Sequence, residues 1–264
     1  MPELPDVEHY RKEFDAHALN QPIEQVQVES ESLLSGISAE RLGQALKHRR
    51  FQYGERYGKW LLIRLDNEKF LVMHFGMTGK LTYFDGSQST PRYTRLTFCF
   101  DNGNSLAYVS PRKLGRVQMA DSRDSFIESK QLGADALAVS ETQFLQMAAG
   151  QRAGVKAWLM NQQVLAGIGN VYSDEILFQT RLHPNCSLAA LDKTRLRKLY
   201  KAMHSVLTTA VKRDADPKNM PSSYLLPQRK NNGHCPGCGS TVEKVKAGGR
   251  GAWYCPKCQS EDTC

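Results

Sequence analysis

The chain has 264 residues, room for one large domain or two with an appendage, and its 41% hydrophobic content suffices for packed cores. Thirty-five Lys and Arg against 27 Asp and Glu give a formal charge of +8, which favours a polyanionic partner, with nucleic acid the first candidate; a basic excess that serves only solubility is the alternative that charge alone leaves open. No apolar run approaches the roughly 18 residues of a membrane span. The acidic start Met1-Pro2-Glu3 is unlike a signal peptide, so a soluble, intracellular protein with no membrane partner is expected.

Val7, Tyr10 and Phe14 recur at helical spacing behind Pro5, which suits a first turn, and predict a helix over residues 5–19. From residue 23 to about 120 the pattern changes to short alternating or fully apolar runs, predicting strands at 23–28, 59–65, 70–75, 80–84, 96–100 and 105–109. Asp85-Gly86 and Asp101-Asn102-Gly103 supply residues that tolerate positive φ in tight hairpins, so this region is expected to be largely antiparallel, as a β-sandwich or barrel. Beyond about residue 121 the period becomes helical, through Phe144, Leu145 and Met147, then Val155, Leu159 and Met160, then Leu196 to Val211. Residues 213–234, with Pro217, Pro221 and Pro227, show little periodicity and predict a mobile loop near a substrate.

Cys235-Pro236-Gly237-Cys238 and Cys255-Pro256-Lys257-Cys258 are two CxxC pairs separated by sixteen residues. Each pair turns two thiolates inward, and four thiolates close a tetrahedral shell around Zn²⁺ with no position left for water, which predicts one structural metal. Val242, Val245, Trp253 and Tyr254 suit a β-hairpin between the pairs, a zinc ribbon too small to fold without its metal. His234 adjoins the site but four thiolates already satisfy the ion. Cys99, Cys186 and Cys264 are scattered, so the cysteine pattern reads as a metal site and not as a disulfide framework.

Four motifs in this order resemble the formamidopyrimidine-DNA glycosylase and endonuclease VIII family: Pro2-Glu3-Leu4-Pro5, then His74-Phe75-Gly76-Met77-Thr78-Gly79, then Gly167-Ile168-Gly169-Asn170-Val171-Tyr172, then the zinc ribbon. The resemblance implies an α+β multidomain chain. Its parts are a β-sandwich with a leading helix over 1–130, a helix-two-turn-helix domain over 131–232 with a lesion-capping loop at 214–232, a zinc ribbon over 233–260 and a tail at 261–264.

It also implies roles. Pro2, once Met1 is removed, presents a secondary amine that can attack C1′ of a damaged nucleotide, and an α-amine is deprotonated near neutral pH more readily than a lysine. Glu3 is the implied general acid and base. Lys59 and Arg250 are placed on phosphates around the reacting nucleotide, although Lys59 taken alone is an ordinary strand-edge lysine. Met77, Arg112 and Leu114 align with residues that fill the void left by a flipped base; Met77 alone would read as core packing, and at Leu114 the family usually has phenylalanine. Asn170, before a helix, is expected to donate to a phosphate, though this arrangement is also a common cap. His74 reads either as a phosphate contact or as a satisfied core histidine. Lys156 and Glu175 match the phosphate track and the base pocket, and are equally read as surface charges or fold supports. Asp6 stands where a glutamate is usual, as support for Pro2 or as a charge favourable to the first helical turn.

The resemblance thus implies a monomeric bifunctional glycosylase and lyase, nucleoid-associated, acting on double-stranded DNA with damaged bases or abasic sites. Oxidised purines are the favoured lesions. Oxidised pyrimidines or abasic sites are the nearer alternative, and a non-catalytic damage-binding protein is a further one.

Overall fold

A computed structural model describes residues 1–261 and 264 of the chain. The chain divides into two units, Met1–Gln131 and Leu132–Cys264; the first carries a double-layered sheet and the second the helices and the ribbon. Among the described residues no helix is long and apolar enough to cross a membrane.

The first unit opens with α1 (Leu4–Ala18), followed by β1 (Ile23–Val28), α2 (Ala39–Leu46), β2 (Phe51–Tyr57), β3 (Trp60–Leu65), β4 (Phe70–His74), β5 (Lys80–Phe84), β6 (Thr94–Phe100), β7 (Ser105–Val109), β8 (Arg116–Ala120) and α3 (Arg123–Ser129). Two four-stranded antiparallel sheets form, ordered β1-β6-β7-β5 and β2-β3-β4-β8. Ile23, Leu96, Phe98, Leu106 and Tyr108 from one sheet and Phe51, Leu61, Ile63, Leu71, Met73 and Val117 from the other share one buried cluster with Val7 and Phe14 of α1. The layers therefore make a sandwich with α1 tied to the same core.

Two details depart from the sequence reading. Asp101-Asn102-Gly103, with Gly103 at φ +81°, does close the β6–β7 hairpin. Asp85-Gly86 does not close one: β5 pairs with β7, so the loop after β5 must carry the chain past β7 to β6. β2 and β8 carry no strong strand signal, since β2 reads Phe-Gln-Tyr-Gly-Glu-Arg-Tyr and buries only Phe51 fully.

The second unit contains β9 (Ala134–Asp135), α4 (Glu141–Ala148), α5 (Val155–Met160), β10 (Leu165–Ala166), α6 (Asn170–Thr180), α7 (Lys193–Lys212), β11 (Glu243–Ala247) and β12 (Arg250–Tyr254). Ser140 caps α4 and Asp192 caps α7, each accepting a backbone N–H three residues on. α6 is buried almost all round, including the polar Ser173, Asp174 and Glu175, so its polar groups must find partners inside the protein. The segment after α7, expected to lack structure, holds short 3-10 turns at Pro217–Asn219 and Leu226–Gln228 and buries Met220, Tyr224, Leu225 and Leu226.

A further departure concerns the scattered cysteines. Cys186 and Cys264 form a disulfide, joining positions 78 apart in sequence. Of the tail residues, Asp262 and Thr263 lie outside the described residues.

Candidate functional site

In the first unit the candidate catalytic residues lie at the start of α1. Pro2 is buried and Glu3 is 1% exposed, while Met1 stands in solvent. A buried carboxylate has to be held by partners inside the protein. The start is pinned by Asp6, whose carboxylate accepts the Glu3 backbone N–H at 2.8 Å. Asp6 thereby holds the Glu3 backbone from the first helical turn. Burial is the main cause that raises the Asp6 carboxyl to about 6, ahead of the hydrogen bond from Glu3, which lowers it.

Gly58 at φ +55° turns the chain from β2 into β3 with Lys59 in the same two-residue turn, since Tyr57 pairs with Trp60. Lys59 is 7% exposed, which excludes an ordinary strand-edge lysine. His74 ends β4 beside it. Its Nδ1 accepts the Gly76 N–H at 3.2 Å, and its ring centroid lies 4.7 Å from that of Trp60. Burial first, then the charges of Lys59 and Arg116, lower His74 to about 4. The ring is therefore neutral at physiological pH with its proton on Nε2, a donor and not a cation. Arg116, across from His74 in the sheet, is exposed, and the sequence reading missed it because it follows the recognised loop instead of lying in it.

Met77 is 40% and Leu114 46% exposed, so core packing does not describe Met77. Their loops touch: a Cβ on Gly76, whose φ is +58°, would come within 2.5 Å of the Leu114 carbonyl. Arg112 is exposed in the same loop as Leu114. Two apolar side chains and a guanidinium thus project into solvent from neighbouring loops.

In the second unit the four cysteine sulfurs all lie within 4.8 Å of one another. Cys235 and Cys258 are 3.8 Å apart and Cys238 and Cys255 3.5 Å. Bonds of about 2.3 Å to a tetrahedral ion place sulfurs about 3.8 Å apart, so the set fits one structural zinc. Backbone N–H groups of Gly237 and Cys258 point at the Cys235 and Cys255 sulfurs, each at 3.4 Å. His234 Nδ1 faces the Gly239 carbonyl at 3.2 Å and is not part of the set.

The ribbon strands pair Ala247 with Arg250 across Gly248-Gly249, whose φ of +56° and +73° define the tight turn glycine permits. Arg250 is exposed at that turn. Asn170 opens α6 and donates from Nδ2 to the Gly251 carbonyl at 3.1 Å, while its Oδ1 is buried without a hydrogen-bond partner. The ribbon turn and the amino end of α6 are thus in contact, a juxtaposition no local motif reveals.

Lys156 and Glu175 both lie inside the second unit. Lys156 is fully buried, its ammonium hydrogen-bonded to Asp174 and, at 2.8 Å, to Ser173, so it is not a surface charge. Glu175 is also fully buried, and accepts N–H groups from Leu225 at 3.2 Å, Leu226 at 2.7 Å and Gln179 at 2.8 Å. Burial raises its carboxyl to about 7 against the lowering effect of those donors. It anchors the middle of the segment after α7, at Leu225 and Leu226.

The family model described as the formamidopyrimidine-DNA glycosylase N-terminal domain matches residues 1–117, the formamidopyrimidine-DNA glycosylase H2TH domain matches 132–221, and the zinc finger found in FPG and IleRS matches 234–260. The formamidopyrimidine-DNA glycosylase of Pelotomaculum thermopropionicum is 31% identical, over 98% of this chain and 99% of its own. The Lactococcus lactis Fpg (MutM) solved with DNA containing N7-benzyl-Fapy-dG superposes with a TM-score of 0.88 at 25% identity, covering 98% of this chain and all of that one. The same Lactococcus enzyme solved with DNA containing an oxidised pyrimidine gives a TM-score of 0.89 at 26% identity and the same coverage. With its β-sandwich, helical domain and zinc finger matched in order along nearly the whole length, the chain belongs to the formamidopyrimidine-DNA glycosylase family of base-excision DNA glycosylases.

Proposed function

We propose that the chain is a bifunctional enzyme that excises oxidised purines, 8-oxoguanine and formamidopyrimidines, from duplex DNA and then cleaves the strand. The observation that carries this reading is the buried Pro2-Glu3 start, held by Asp6. A Pro2-Glu3 segment held in one geometry suits a nucleophile and a proton donor that must act on the same sugar.

In this reading Met1 is removed and the Pro2 nitrogen attacks C1′ of the damaged nucleotide, expelling the base. The C1′–N bond that forms becomes an iminium as the sugar ring opens, with Glu3 giving the ring oxygen its proton. The iminium acidifies the 2′ hydrogen, whose removal expels the 3′ phosphate by β-elimination; δ-elimination then releases the 5′ phosphate. Lys59, His74 and Arg116 offer donors to the backbone, and Met77, Arg112 and Leu114 enter the gap the flipped nucleotide leaves. Asn170 and Arg250 hold phosphates from the second unit, and residues 214–232 cap the extruded base. The ribbon zinc, with four protein ligands, supplies structure and no chemistry.

Leu114 favours a second reading of the lesion. An aliphatic wedge stacks less on the orphan base than a ring, which loosens selection of the opposite base and admits oxidised pyrimidines.

Borohydride trapping of protein whose first residue is Pro2 tests the chemistry. Duplexes carrying 8-oxoguanine, thymine glycol or an abasic site are expected to give a covalent adduct, absent when the Pro2 amine is acetylated and lost on base lesions in Glu3→Gln. No adduct from Pro2-initiated protein would leave a binding protein. The ranking of the three duplexes separates the two lesion readings.

A further inference from the structure

A single carboxylate in the second unit gathers groups from three other segments. Asp174 on α6 is fully buried. Its Oδ1 accepts Nζ of Lys156 on α5. Its Oδ2 accepts Nε and Nη2 of Arg229 at 3.1 and 2.7 Å, and the backbone N–H of Trp253 in β12 at 3.0 Å. Arg229 also reaches the Asn170 carbonyl at 3.4 Å. Two cations and a peptide N–H therefore converge on one charge.

Trp253 lies three residues beyond Arg250 on the same strand, so holding its N–H fixes how far the ribbon turn projects from α6. Two other contacts bear on that turn. Asn170 binds the Gly251 carbonyl, and Gly248 lies against α5, where an added Cβ would meet the Ala157 backbone at 3.2 Å. Those two are a lone neutral hydrogen bond and a van der Waals contact. The Asp174 bonds are buried and charge-assisted, and breaking one side of such a cluster leaves uncompensated charge.

We infer that Asp174 is a positioning residue for DNA binding, holding the zinc-ribbon turn that carries Arg250 in register with the amino end of α6 that carries Asn170. The two phosphate donors are then presented as a preset pair, and the ordering cost of bringing them together is met on folding instead of on binding. This rests on the proposed roles of Asn170 and Arg250.

The test is a double-mutant cycle on affinity for a duplex with an uncleavable abasic-site analogue, using zinc-loaded full-length protein. Asp174→Asn and Arg250→Ala are each expected to weaken binding about tenfold or more, and the double variant to bind within about threefold of Arg250→Ala alone, because Asp174 acts through the turn. Losses that multiply would overturn the inference, since a residue that merely stabilises the fold adds its cost independently. Arg250→Ala binding like the parent would overturn the reading of Arg250 and the inference with it. Zinc content and Tm are measured alongside; if Asp174→Asn does not fold, Arg229→Gln, which removes the less buried partner of Asp174, enters the cycle with the same expectation and the same overturning result.

Discussion

At His74 the local backbone decides what an imidazole can do. The Gly76 N–H occupies Nδ1, and burial with Lys59 and Arg116 nearby brings the ring to about 4. Because this lies below the ordinary histidine value of about 6.5, the folded protein binds its proton less readily than the unfolded chain does. The associated stability is fully present above about pH 6.5 and is lost as pH falls from there through 4. The stability difference between the parent and His74→Gln is therefore expected to shrink, or reverse, between pH 7 and pH 4.5, measured by urea unfolding. A neutral donor also implies that the contribution of His74 to DNA affinity stays flat from pH 8 to 6. Affinity that rises over that interval in the parent but not in His74→Gln would mean an imidazolium acts instead.

Among the elements, the two loops that carry Met77 and Leu114 are held by close backbone approach. A Cβ on Gly115 would fall 1.8 Å from the Tyr108 hydroxyl, which itself donates to the His74 carbonyl at 2.9 Å. Gly115→Ala is expected to destabilise by about 2 kcal/mol or more through overpacking and to displace the Leu114 loop, seen as a lower Tm with a loss of lesion excision. Gly43→Ala, inside α2 with open space around it, is the matched control and is expected to gain up to about 1 kcal/mol.

The same loops mark the limit of what the sequence discloses. Periodicity and motif spacing report neighbours along the chain, and they located α1, most of the sandwich strands, the thiolate pairs and the Gly167 to Tyr172 turn. They do not report that Gly76 meets Leu114, or that Lys156, Asp174 and Arg229 share one buried cluster. Charged side chains are solvated by default, so a sequence reading assigns them to the surface unless a motif says otherwise. β2 escaped because an edge strand with one buried side chain has no alternation to show.

For the chain as a whole, two kinds of sulfur chemistry stabilise the second unit, and they respond to different reagents. The zinc ribbon needs reduced thiolates and a metal, whereas the Cys186–Cys264 link needs oxidised sulfur. Both act near the same place: Gln259, one residue past the last zinc ligand, bonds the Leu182 carbonyl at 2.8 Å, and the disulfide ties position 264 to Cys186 a few residues further along that segment. Closing so long a loop removes chain entropy from the unfolded state worth about 4 kcal/mol, less any strain the link imposes. Cys186→Ser is accordingly expected to melt on the order of 10 °C below the parent in non-reducing buffer and level with it once a phosphine reductant is present. A chelator should act differently, because stripping zinc opens the ribbon itself and withdraws the Trp253 N–H from Asp174, so it is expected to lower both Tm and DNA affinity in parent and variant alike. Equal melting of parent and variant without reductant would mean that the disulfide contributes nothing in solution and that zinc and the non-covalent contacts of Asp174, Asn170 and Gln259 hold the ribbon without it.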